Sequence, residues 1–179
     1  MEFLKTKFKN AFLINFSSHT DDRGSFFRFY CENEFKNNNI NVKWVQINHS
    51  INKKKGTLRG MHFQVEPYSE IKLVRCIKGS IFDVIVDLRK DSDTYLQWQA
   101  FELSPENNNA ILIPKGFAHG FQTLEKNSEL IYFHSEYYNK EYERGLNFDD
   151  KSLNIKWPLK KIIISDKDSS HPKYNKNEL

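Results

Sequence analysis

The segment TLRGMHFQ, residues 57–64, puts Arg59, Gly60 and His62 within four positions of a run that Leu58, Met61 and Phe63 otherwise mark as a strand. Further along, Lys72 opens KLVRC, Asp83 stands in SIFDVIVDLR, His119 in PKGFAHGF and Tyr132 in LIYFHS. Singly, each has a plain reading. A strand histidine is usually structural, a lysine is solvated at an edge, and a tyrosine packs with its hydroxyl at a rim. Together they place ionisable groups at inward positions of several strands, where polar side chains need partners or a ligand. The first chemistry to test is metal binding, which requires three or four convergent nitrogen, oxygen or sulfur ligands.

Strands must hold these residues. In SIFDVIVDLR, Phe82, Val84, Val86 and Leu88 share one face, while Ile81, Asp83, Ile85 and Asp87 share the other. IKLVRCIKGS ends at Gly79-Ser80 and runs directly into that strand, which predicts a hairpin. LQWQAFELS, AILIPKGFAHGFQTL and LIYFHSEYY continue the series, separated by turn-like NKKKG, RKDSD, SPENNN and LEKNS. Helix signals are weak, with one or two turns allowed in CENEFKNNN. The expectation is a single all-β domain over residues 1–179, a jelly-roll β-barrel with short peripheral helices. The polar residues 170–179 read as a mobile tail.

Composition narrows the function classes. A length of 179 residues with 39% hydrophobic and 15% aromatic side chains suits one globular domain rich in β-structure. The net charge of +4 is modest and its lysines are scattered among acids, which predicts no nucleic-acid partner but suits an anionic small ligand. No apolar run is long enough to span a bilayer, and MEFLKTKFKN lacks a signal-peptide core, so the expected location is cytoplasmic. Cys31 and Cys76 form no metal or redox spacing and read as reduced thiols.

PKGFAHGF has the P-x-G-x-x-H arrangement of the second motif of cupin jelly rolls. Metal-binding cupins also carry an H-x-H pair in their first motif. Here Gly60 stands two residues before His62 and Gln64 two after it, so the paired ligand is missing and no metal is expected.

The segments DDRGSFFRFY, VQINHS, GTLRGMHFQ, KLVRCIKGSIFDVIVDLRKDSDTYLQW, IPKGFAHGFQTL, LIYFHSEYY, NFDD, IKWP and SDKD run in one order from about residue 20 to residue 168. In these the chain resembles the dTDP-4-dehydrorhamnose 3,5-epimerases, cupin-fold enzymes that invert carbons of nucleotide-linked 4-keto sugars without a cofactor. The resemblance implies His62 as base, Asp168 as its carboxylate partner, Lys72 facing the enolate oxygen and Tyr132 as proton donor. It implies His119 and Asp83 as a second pair lining the cavity. Arg23 and Arg59 would hold the diphosphate and nearby groups, with Gln46 and Asn48 near the nucleoside and Tyr138 stacked on the base. Glu143 and Lys167 lie at matching positions. The family's habit also implies a homodimer that exchanges N-terminal strands.

One position departs from the family. Where it usually reads D-x-R-G-x-F-x-E, this chain has Arg28 in place of the glutamate. The charge reversal leaves both a dTDP-linked hexose and a GDP-linked 4-keto heptose open as substrates, and epimerisation at C3 and C5 or at C3 alone. The alternatives are a nucleotide-sugar 3,4-ketoisomerase and a non-catalytic sugar-binding jelly roll.

Overall fold

Period-two alternation becomes two opposed antiparallel sheets in a computed structural model that describes residues 1–175. The elements are β1 (Glu2–Lys5), β2 (Phe12–Asn15), β3 (Ser18–Asp21), β4 (Gly24–Phe27), α1 (Glu32–Asn37), β5 (Gln46–Asn52), β6 (Leu58–Gln64), β7 (Lys72–Lys78), β8 (Ile81–Asp87), β9 (Trp98–Leu103), β10 (Asn109–Ile113), β11 (Phe117–Thr123), β12 (Ser128–His134), β13 (Glu143–Gly145) and α2 (Asp166–Ser169). One sheet has six strands in the order β1-β2-β10-β7-β12-β5, and the other has five in the order β13-β6-β11-β8-β9. This is the expected all-β jelly roll with short peripheral helices. Among the described residues no helix is long and apolar enough to cross a membrane.

The alternation of β8 explains how the layers form. Ile81 and Ile85 point between the sheets, where they meet Val74, Cys76, Ile111 and Leu130 of the other sheet. Val84 and Val86 point outward and are covered by Leu146, Leu153, Ile155 and Trp157 from the C-terminal segment. Both faces of β8 are thus buried, and each fully buried aliphatic side chain contributes about 1.5–3 kcal/mol. Asp83 sits on the inner face between two isoleucines and is itself fully buried, a position that demands a partner. On the outer face of the six-stranded sheet, Phe35 of α1 packs with Ile14, Leu73 and Leu112.

Two expectations are corrected. The strands before and after Gly79-Ser80 do not form a hairpin: β7 pairs with β10 and β12, whereas β8 pairs with β11 and β9. The turn carries the chain from one sheet to the other, because each strand buries its inner face against the opposite layer. The segment read as a mobile tail is docked over its described part. The Tyr174 hydroxyl hydrogen-bonds that of Tyr95 at 2.8 Å, its amide donates to Asp150, and the His171 side chain is only 12% exposed. Residues 176–179, which belong to the same expectation, lie outside the described residues. Cys31 and Cys76 are both free, and burial pushes the Cys76 thiol up to about 11.

Candidate active site

A cavity of about 290 Å³ opens between the two sheets. The five-stranded sheet supplies one wall. His62 on β6 and His119 on β11 are register partners across neighbouring strands, so both rings project from the same face. Backbone proximity makes this possible. Gly60 has φ +120°, and a Cβ there would lie 2.6 Å from the Gly120 Cα and 2.8 Å from the His119 carbonyl oxygen. Only glycine fits, and β6 and β11 approach closely beneath the two rings.

Each ring has a carboxylate behind it. His62 Nε2 lies 3.0 Å from Asp168 Oδ1, and the other Asp168 oxygen accepts the Gly60 N–H at 3.1 Å. Ser165 caps α2 by accepting the Asp168 N–H at 3.1 Å, which aims the carboxylate at the strand. Burial raises the Asp168 pKa, but the hydrogen bond and charge of His62 and the Gly60 N–H outweigh it, so the net shift is downward. His171 stands edge-on to His62 at 5.3 Å between ring centroids. Burial lowers its pKa. His119 Nε2 lies 2.7 Å from Asp83 Oδ2, while Asp83 Oδ1 has no hydrogen-bond partner among the described residues.

The six-stranded sheet supplies the facing wall. Tyr132 and His134 share the cavity-facing side of β12, and His134 is the register partner of Lys72 on β7. Lys72 Nζ lies 3.2 Å from Glu70 Oε1, and His134 Nδ1 lies 2.7 Å from Glu70 Oε2. Burial, followed by the charge of Asp83, pushes the Tyr132 phenol well above its ordinary value. It therefore stays protonated at neutral pH. At the mouth, Tyr138 Oη donates to Glu143 at 3.0 Å, Lys167 pairs with the same Glu143 oxygen at 2.6 Å, and Gln46 accepts the Tyr138 N–H at 3.2 Å. Arg59 lines the cavity with its Nε tied to Asn52 at 2.8 Å.

Ionisable groups that face one another across a small cavity, with a proton donor held neutral, fit proton transfer at carbon. Residues 5–176 match the family model described as dTDP-4-dehydrorhamnose 3,5-epimerase. The chain is 41% identical over 175 residues to the dTDP-4-dehydrorhamnose 3,5-epimerase of Shigella flexneri, covering 97% of this chain and 96% of that protein. A crystal structure of the Bacillus anthracis enzyme of that name, with TDP and PPi bound, superposes with a TM-score of 0.95 at 40% identity, covering 97% of this chain and 99% of that one. A dTDP-6-deoxy-D-glucose-3,5-epimerase from Legionella pneumophila, in complex with dTDP-4-keto-L-rhamnose, gives a TM-score of 0.91 at 34% identity, covering 96% of this chain and 92% of that one.

The chain belongs to the dTDP-4-dehydrorhamnose 3,5-epimerase family. Its jelly roll is therefore a cupin fold, and it is an isomerase by family.

Of the residues that the family resemblance singled out, Asn48, Arg59, His62, Lys72, His119, Tyr132, Tyr138 and Glu143 line the cavity. Gln46, Asp83, Asp168 and Lys167 stand directly behind them, each hydrogen-bonded to a lining residue. Arg23 and Arg28 do not reach it within this chain. Arg23 is 89% exposed and pairs with Asp21 in the β3–β4 hairpin, and Arg28 pairs with Glu34 of α1 at 3.0 Å. The physical reason is topological, since among the described residues β3 and β4 pair only with each other. Glu70, Ser50, Gln64 and His134 were missed although they line the cavity. Period two held the signal for two of them, because Glu70 lies two residues before Lys72 and His134 two after Tyr132.

Proposed function

We propose that the protein is a 3,5-epimerase of a dTDP-linked 4-keto-6-deoxy sugar, working through an enolate. One observation carries this reading: His62 with its carboxylate on one sheet shares a cavity with Lys72 and Tyr132 on the other. The C4 ketone acidifies the hydrogens on C3 and C5. His62 takes one of them, and Asp168 fixes its tautomer and stabilises the imidazolium. The positive charge of Lys72 steadies the enolate oxygen. Tyr132, kept protonated, returns a proton from the opposite face. His119 with Asp83 contacts the sugar, and no cofactor takes part.

In this proposal Tyr138 stacks on the base, Arg59 binds the diphosphate, and Gln46, Asn48, Glu143 and Lys167 shape the nucleoside end. Arg23 and Arg28 would act on the partner's cavity in a cytoplasmic homodimer with exchanged N-terminal strands. Three features support the exchange. Among the described residues the β3–β4 hairpin has no further strand partner in its own chain. Phe26 on β4 is 74% exposed. Strand β5 is an open sheet edge next to the cavity, with Ile47 and Ile51 exposed.

The test is turnover of dTDP-4-keto-6-deoxyglucose in deuterated water, read by mass spectrometry and proton NMR. Solvent deuterium at C3 and C5 is expected. Absence of exchange with this sugar, alongside exchange with a GDP-linked 4-keto heptose, would reassign the nucleotide. No exchange with either would sink the epimerase reading.

A further inference from the structure

We infer that His134 is a positioning residue for the epimerisation, setting Lys72 through Glu70 and tying it to the nucleoside end of the cavity. The inference rests on the epimerase reading. The Asn48 amide oxygen accepts from Gln46 Nε2 at 3.1 Å, so its nitrogen is the group facing His134 Nε2 at 3.2 Å. An amide nitrogen only donates, hence Nε2 accepts. The imidazole proton is then on Nδ1, where it is donated to Glu70 Oε2 at 2.7 Å. One neutral tautomer satisfies both ring nitrogens, and the reverse tautomer would satisfy neither.

The remaining Glu70 oxygen holds Lys72 Nζ at 3.2 Å. The three side chains are between 8% and 11% exposed, so solvent screens them little. An unshared carboxylate in such a place would pull the ammonium onto itself. The His134 N–H takes part of that carboxylate's hydrogen-bonding capacity, and Lys72 keeps two of its three N–H donors for a ligand. Register fixes the arrangement, because His134 and Lys72 are directly opposed on β12 and β7. The His134 ring also lies 21° from parallel to Tyr132, with centroids 6.1 Å apart. The chain of contacts runs from the Tyr138 amide through Gln46, Asn48, His134 and Glu70 to Lys72. It links the base-stacking end of the cavity to the group that faces the enolate.

Two measurements test this. The first does not depend on turnover: nitrogen-15 NMR of the full chain should show His134 as the neutral Nδ1–H tautomer, and any other ring state overturns the inference. The second is steady-state kinetics. His134→Ala and the isosteric Glu70→Gln should each lower kcat about 10- to 100-fold, the scale of a small misplacement of a reacting group, with KM within about threefold. His134→Asn, whose amide keeps an N–H toward Glu70, should recover most of kcat. In a Lys72→Met background, His134→Ala should cause no further loss. An additive loss there, or an unchanged kcat in His134→Ala, makes His134 merely structural and overturns the inference. A wild-type enzyme without exchange fails the epimerase reading instead, and leaves the NMR result to decide the tautomer.

Discussion

His62–Asp168 and His119–Asp83 are the same two side-chain types in two environments. The His62 side chain is 30% exposed and its carboxylate also takes a backbone N–H. His119 and Asp83 are 6% and 0% exposed, and one Asp83 oxygen is left without a partner among the described residues. The second pair is local to its sheet, since β11 and β8 are neighbours. The first joins a strand to a short helix 106 residues later in the chain. A base must meet its substrate, so the partly exposed ring suits proton abstraction. The nearly sealed pair, in which His119 reaches the cavity, suits holding that wall in place beside its proposed sugar contact, because removing one member leaves a buried charge uncompensated.

The sharpest break in that comparison is His62→Ala. It should lower exchange at C3 and C5 about 10³-fold, roughly 4 kcal/mol of transition-state stabilisation, while the urea midpoint stays near wild type. Retained exchange would show that the base lies elsewhere. Next comes His119→Ala, whose main effect should be on stability, with a loss of about 3 kcal/mol in urea unfolding from the stranded Asp83 carboxylate. A near-wild-type urea midpoint would mean that the sealed pair is not holding the wall. Asp168→Asn should lower kcat about 10²-fold with a smaller change in KM, because the neutral amide cannot stabilise imidazolium. Equal kcat would remove Asp168 from the pair's function.

The smallest effect concerns pH. The folded-state pKa of Asp168 is held below the unfolded value, through His62 and Gly60 and against burial. Its contribution to stability is therefore present in full above about pH 4 and is lost as pH falls through the folded value. The stability gap between wild type and Asp168→Asn, measured by urea unfolding from pH 7 to pH 3, should narrow toward the acid end. A constant gap would show that the carboxylate charge does not hold the pair.

The inner face of β8, with Asp83 between isoleucines, was legible from alternation alone. So was the all-β class, because period-two patterning and turn residues are local properties of the chain. Sheet membership was not legible. The Gly79-Ser80 turn reads like a hairpin in sequence, yet β7 and β8 enter different sheets, since pairing depends on which strand arrives alongside. Glu70 and His134 show the same limit from the other side. Their spacing put them on the faces of Lys72 and Tyr132, but only the register that opposes β12 to β7 closes the Glu70 bridge between them.

By itself the sequence determined the strand alternation, the lack of an H-x-H pair at His62, and the family resemblance that named His62, Lys72, Tyr132 and Asp168. Tertiary structure decided that His62 meets Asp168, that His171 packs beside them instead of trailing in solvent, and that Arg23 and Arg28 stay outside their own chain's cavity. The physical reason is range. Alternation is written in consecutive residues, whereas a histidine and a carboxylate 106 positions apart meet only after two sheets have closed and α2 has docked on β6.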